Sequence, residues 1–202
     1  MRRDAVHNRE RVLAAAEQIF GEQGLEASVD ELADAAGVGV GTLYRHFSNK
    51  QALVDEIIGP RRQELVALAN CADAQPPGLG FEWLLVEVGR VQAQQPTCIG
   101  QLWDHSDAGR AALEEFRRHL GELLAEAQAA GRIRTDITPS DISMAFWSVR
   151  EIVRITRSVA PNAWSRHLEL LLAGLRPTGD STTLQHPALT DAQAKTIMRT
   201  KG

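Results

Sequence analysis

Residues 36–47 read Ala36-Gly37-Val38-Gly39-Val40-Gly41-Thr42-Leu43-Tyr44-Arg45-His46-Phe47, and the short helix they encode decides the fold. Gly37 can supply the left-handed turn that stops one helix before the next begins. From Val40 to His46 the spacing predicts a brief helix. Leu43 and Phe47, four apart, face a core expected from Phe20, Val29 and Leu32. Thr42, Tyr44, Arg45 and His46 are left on the opposite face. Upstream, Ser28-Val29-Asp30-Glu31 is a capping box that opens a helix over Val29–Ala36. Further upstream, Val12, Ala16, Ile19 and Phe20 form one helical stripe that Gly24 terminates. Downstream, Ser48-Asn49-Lys50-Gln51 reads as a second capping box, opening a longer helix through Leu53, Ile57, Leu65 and Leu68, with Pro60 as a kink or early break. Three helices in the first 47 residues, the last two joined by a tight glycine turn, have the layout of a helix-turn-helix unit.

Charge sets a condition on any nucleic-acid reading. The 202 residues carry a formal net charge of -4, which excludes a protein that coats nucleic acid by bulk positive charge. Locally the balance reverses. No Asp or Glu occurs between Ala35 and Val54, whereas Arg45, His46 and Lys50 do. Thr42 and Tyr44 can hydrogen-bond to phosphates or base edges, and Lys50 stands at a helix N-terminus that itself favours anions. A nucleotide-binding reading of Gly37, Gly39 and Gly41 fails: Thr42 breaks the spacing, and a helix rather than a strand precedes the glycines.

The run from Gly41 to Phe47, with Ser48-Asn49-Lys50-Gln51-Ala52-Leu53 after it, closely resembles the TetR family of bacterial repressors across about the first 55 residues. The resemblance implies a homodimer that binds a palindromic operator in double-stranded DNA and releases it when a small-molecule effector occupies the C-terminal domain. By motif position it places Thr42, Tyr44 and His46 on DNA and Lys50 on a phosphate. Ser28, Gly39, Val40 and Arg45 complete the expected DNA-binding set, and Arg2, Arg3, Arg9 and Arg11 are expected to add contacts from an N-terminal arm. The chain departs from the pattern at Gly39, where such proteins often carry a serine that caps the recognition helix and offers a hydroxyl to phosphate.

The remaining sequence is also helical, so the expected class is all-α: a helix-turn-helix domain over residues 1–48, a ligand-binding and dimerisation domain over 49–176, and a flexible tail over 177–202. Pro76-Pro77-Gly78 breaks the chain. Helices are then expected over Phe81–Gln95, Ala111–Ala130, Pro139–Ala160 and Asn162–Leu175, with a short segment at Ile99–His105. Thr138 and Pro139 mark one helix start, with an acidic residue in the first turn. The last two helices are apolar on more than one face. They are expected to pair and to meet a second copy through Ile152, Ile155, Trp164, Leu168, Leu171 and Leu172. Trp83, Val88, Trp103, Phe146, Trp147 and Arg150 are the expected pocket for an apolar, anionic effector. Arg150, among apolar neighbours, needs a partner such as Glu87, Asp104 or the ligand. Residues 130–142 also resemble the SbtR-like subgroup.

Other classes fare poorly. No apolar run approaches the roughly 20 residues of a membrane span, and the first residues lack a signal-peptide pattern. Two cysteines, Cys71 and Cys98, fit a reduced cytoplasm. Asp104, His105, Asp107, His119 and His167 lack metal-ligand spacing, and Glu115 with His119 reads as a helix-surface pair. No catalytic constellation is legible, so neither an enzyme nor a cofactor or metal is expected. The rivals are a helical enzyme and a helix-turn-helix used only for protein contacts.

Overall fold

The computed structural model describes residues 2–94, 106–179 and 183–200. Among them the chain is helical: α1 (Arg2–Gln23), a 3-10 turn (Gly24–Glu26), α2 (Val29–Ala36), α3 (Val40–His46), α4 (Lys50–Asp73), α5 (Gly80–Gln94), α6 (Asp107–Ala129), α7 (Pro139–Thr156), α8 (Ala163–Leu175) and α9 (Asp191–Thr200). No strand occurs among the described residues, and no described helix is long and apolar enough to cross a membrane. The expected segment at Ile99–His105 and Cys98 lie outside the described residues; Cys71 is a free, exposed thiol.

The described residues fall into two compact units, one of 2–64 with 106–113 and 198–200, the other of 65–94 with 114–179 and 183–197. In the first, the α1 stripe of Val12, Ala16 and Phe20 meets Leu32 of α2, Leu43 of α3 and Phe47, all buried. The same core takes in Leu53, Val54, Ile57 and Ile58 of α4. The core of this unit therefore includes residues of α4 beyond position 48. Pro60 does not end α4. It lies inside one continuous helix, where it withholds the N–H that the Glu56 carbonyl would otherwise accept.

The second unit is built on α5, which packs against both α7 and α8. Phe81, Leu84, Leu85 and Val88 bury against Leu120, Leu123, Leu124, Ile142, Val149, Leu168 and Leu172. Contact between α5 and α8 is close because Gly89 carries no side chain: a Cβ there would lie 2.9 Å from Trp164 and 3.1 Å from Leu168. At the start of α7, the Asp141 carboxylate accepts from the Thr138 N–H at 2.8 Å and from its hydroxyl at 2.7 Å, so the expected cap forms. The stretch before it is a polar clasp. Arg134 donates to Asp136 at 2.9 and 2.7 Å, the Arg134 N–H reaches the Leu175 carbonyl, and Gln128 donates to the carbonyls of Arg134 and Ile137.

Residues 183–200 belong to the segment expected as a flexible tail. They carry α9, capped by a pattern the sequence reading missed: Thr190 and Gln193, three apart, exchange backbone-to-side-chain bonds at 2.9 and 3.3 Å. The segment is tied back to its own unit. The Leu184 N–H donates to Asp136 at 3.1 Å, and the buried Ser140 hydroxyl donates to the Leu189 carbonyl at 2.8 Å.

Candidate nucleic-acid interface

Gly37 is in the left-handed region at φ +61°, ends α2, and returns its N–H to the carbonyls of Ala33 and Asp34. That turn aims α3. Gly39 then caps α3 with extended backbone and no side-chain bond, leaving the helix N-terminus without a hydroxyl of its own. Thr42 and Leu43 N–H groups both find the Gly39 carbonyl, so α3 starts regularly even so. Leu43 and Phe47 point inward as expected and are buried, so the outward side of the helix is decided.

That outward side holds Thr42, Tyr44, Arg45 and His46. Tyr44 is 49% exposed, a large apolar ring held in solvent. Arg45 is exposed and, among the described residues, makes no ion pair, and neither the Tyr44 hydroxyl nor the Thr42 hydroxyl has a hydrogen-bond partner there. The His46 ring leans toward Phe47, with centroids 6.4 Å apart, and makes no side-chain hydrogen bond among the described residues. Val40 is half-buried against the core and brings the start of α3 to the same surface. At the head of α2, Ser28 exchanges bonds with Glu31: its N–H donates at 2.6 Å and its hydroxyl oxygen accepts at 3.2 Å. The bond from the Ser28 N–H, then that from its hydroxyl, holds the Glu31 carboxyl below the usual range.

The other expected cations are placed differently. Arg2, Arg3, Arg9 and Arg11 belong to α1 and form no separate arm. Arg11 donates to the Gly37 carbonyl at 3.2 Å. Arg9 pairs with Glu56 and lies 5.4 Å from the centroid of Phe47. Both therefore brace the turn and the end of α3 from behind. Lys50 donates through Nζ to the carbonyls of Leu25 and Ala27 and lies over the Phe20 ring. The second capping box is also shifted by one residue. Asn49, not Ser48, caps α4, accepting from the Ala52 N–H at 2.8 Å.

In the C-terminal unit, Val88 is buried in the core, and Trp83 and Phe146 pack partly buried against it. Trp147 and Arg150 are half-buried, and Trp103 and Asp104 lie outside the described residues. Glu87 bonds to Arg90 rather than to Arg150. Of the expected dimer residues, Leu168 and Leu172 are buried in the chain's own core and Trp164 and Leu171 pack partly buried against it, while Ile152 is half-buried. The i, i+4 pattern did select one face of α8, but the inward one. The outward apolar groups here are Met144 and Ile155 of α7, Val159 in the turn after it and Leu170 of α8. His119 turns to Asp73 at 3.2 Å and Glu115 pairs with Arg118, in place of the expected pair between them. His167 bonds the Ser148 hydroxyl at 2.9 Å. Among the described residues, no group of three His, Cys, Asp or Glu side chains is placed to hold a metal ion.

Residues 12–57 match the description of bacterial regulatory proteins of the tetR family. Residues 75–177, half of the chain, match the C-terminal domain of SbtR-like transcriptional regulators. The chain belongs to the TetR family. Its N-terminal unit is that family's helix-turn-helix, and the family is one of regulatory proteins, not of enzymes. An HTH-type transcriptional regulator of Staphylococcus aureus is 44% identical over 59 residues, which is 29% of this chain and 32% of that protein. The chain thus spans about a third of the length of the curated relatives it matches. Among solved structures, the TetR transcriptional regulator SCO0520 from Streptomyces coelicolor is 28% identical over 85% of this chain and 99% of its own, with a TM-score of 0.52. The TetR family protein CprB from S. coelicolor A3(2) shares the fold, with a TM-score of 0.66 at 21% identity over 87% of this chain and 92% of its own.

Proposed function

We propose that this protein is a ligand-responsive transcriptional repressor in the cytoplasm that binds a palindromic operator as a homodimer and leaves it when a small molecule binds the C-terminal unit. The observation that carries the DNA-binding part is the outward face of α3. Thr42, Tyr44, Arg45 and His46 present hydrogen-bonding groups and a cation with no hydrogen-bond or ion-pair partner among the described residues, in a stretch without a carboxylate. Groups of this kind, hydrated in the free protein, are the ones that contact phosphates and base edges. Thr42 and Tyr44 suit phosphate oxygens or base edges, and Arg45 suits a phosphate or a guanine edge. Gly39 and Val40 bring the α3 backbone close to the duplex. Ser28, at the head of α2, completes the proposed contact set.

Two such helices in a dimer would enter successive major grooves roughly 34–36 Å apart. An effector that favours another spacing then lowers DNA affinity by shifting the population between two states. The half-buried Trp147 and Arg150, with Trp83, Val88 and Phe146 beside them in sequence or core, support an apolar effector with an anionic group. The outward Met144, Ile155, Val159 and Leu170 support pairing of two chains through α7 and α8.

The test is equilibrium binding of the purified protein to DNA from the region upstream of its own gene, and to a random-sequence pool, across a salt series. Selective binding that weakens steeply with salt is expected. Equal, salt-insensitive binding to every sequence would sink the reading in favour of a protein-contact module.

A further inference from the structure

We infer, on the reading that two copies pair through α7 and α8, that the Ser148–His167 pair is the polar element of that face and makes pairing pH-dependent. Pairing is firm while the imidazole is neutral and weakens once it is charged. Ser148 lies on α7 and His167 on α8. The Ser148 hydroxyl donates to the Ala145 carbonyl at 2.8 Å, which spends its one hydrogen. Its oxygen therefore accepts from His167 Nε2 at 2.9 Å, and the proton of the neutral ring is on Nε2. Nδ1 makes no hydrogen bond among the described residues and keeps its lone pair.

The pair is set in apolar surroundings. Met144 stands one turn before Ser148 and Ile155 two turns after it, so the three share a stripe of α7. On α8 the residues three or four positions from His167 are Ala163, Trp164, Leu170 and Leu171, all apolar. Met144, Ile155 and Leu170 are exposed in the single chain, whereas Ser148 and His167 are half-buried. A second copy that covers those apolar side chains also covers the pair. The neutral ring suits such burial, with its one N–H already bonded. An imidazolium does not, because a cation withdrawn from water needs a carboxylate.

None is placed to supply it. Among the described residues His167 forms no ion pair. On α7, Glu151 is bound to Arg154, and Arg150 is a half-buried like charge. On α5, which packs against both helices, Glu87 is bound to Arg90. On α8 itself, Arg166 and Glu169 are exposed, and one- and two-residue spacings do not face each other on a helix. His119 of α6 is the contrast. Its ring stands 3.2 Å from Asp73 and 3.8 Å from Glu122, so it gains partners when charged. Covering His167 therefore favours its neutral form, and the separate chains bind the proton more tightly than the paired ones. Pairing is complete above the range in which an imidazole titrates and is lost as pH falls through it. A two-fold contact carries two such rings, which steepens the loss.

The experiment is sedimentation of the full chain over a concentration series at about pH 8 and about pH 5.5, with circular dichroism at both. The parent is expected to pair about tenfold or more weakly at the lower pH with its helical signal kept. His167→Gln and His167→Leu, which do not titrate, are expected to pair equally at both, and His119→Gln to behave as the parent does. In NMR titrations the His167 ring of the parent is expected to protonate at lower pH than that of the unpaired Ile155→Lys protein. Equal parent pairing at the two pH values overturns the inference. So does parent-like pH dependence in either His167 variant, or a His167 titration that is the same in both proteins. A parent that is a single chain at about pH 8, or whose pairing Ile155→Lys leaves intact, overturns instead the pairing surface beneath it.

Discussion

The Arg11 guanidinium donates to the carbonyl of Gly37 at 3.2 Å, so the turn that aims the recognition helix is held from α1 by a single charged bond. The same glycine is at φ +61°, and a Cβ there would lie 2.3 Å from the Arg11 Nη2 atom. Gly37→Ala meets two costs at once: the left-handed backbone, and displacement of the guanidinium. Destabilisation of about 1–2 kcal/mol is expected in urea unfolding. Because Arg11 is the flexible partner, Arg11→Met in the Gly37→Ala background should add little further loss. Fully additive losses would show that the two residues act independently.

Gly39 invites the opposite change. Its backbone is extended, and a Cβ there meets nothing within 4 Å. Gly39→Ser restores a side-chain cap and reduces the freedom of the unfolded chain, so stability should rise by about 0.5–1 kcal/mol. The added hydroxyl also stands at the start of α3, so DNA affinity should rise rather than fall. A drop in affinity at higher stability would place that residue against a base or sugar with no room for a side chain.

Tyr44 separates folding from binding. It is half exposed and makes no internal hydrogen bond, so Tyr44→Ala should change unfolding stability by less than about 0.5 kcal/mol. Operator affinity should fall by about tenfold or more. Measured together by chemical unfolding and fluorescence anisotropy, a stability loss that matched the affinity loss would return Tyr44 to a packing role.

Leu168 and Ile155 separate core from interface. Leu168 is buried within the chain and Ile155 is 55% exposed. Leu168→Ala should cost about 2–5 kcal/mol of stability. Ile155→Lys should leave each chain folded and move the sedimentation coefficient toward a single chain. An Ile155→Lys protein that sediments as the parent does would remove α7 from the proposed pairing surface.

Asp136 carries a pH prediction. Its bond from Arg134, then the Leu184 N–H, holds the carboxyl down at about 2, below the ordinary 3.8. A depressed folded value means that the carboxylate's contribution is fully present above pH 3.8. It is lost as pH falls through about 2. The Leu184 amide signal should follow that titration, and Asp136→Asn should abolish it. Because Leu184 leads into α9, the variant should also speed amide exchange in residues 183–200.

How much was legible from the residues differs between the two units, for a physical reason. Local signals decided the helix-turn-helix. The Ser28–Glu31 box, the left-handed Gly37 and the spacing of Leu43 and Phe47 act within a turn or two of helix, so the outward face of α3 follows from them. The one local signal overlooked, Thr190 with Gln193, is of the same kind and accounts for α9. Tertiary structure alone decided where long side chains spend their charge and which stripe of an all-round apolar helix turns inward. Lys50, Arg9 and Arg11 reach partners 23 to 47 residues away within the chain, and no spacing rule foretells those contacts. Likewise the pattern in α8 marks Leu168 and Leu172 as one face. Only the packing against α5, made close by Gly89, shows that this face belongs to the core and leaves Ile155, Val159 and Leu170 outside.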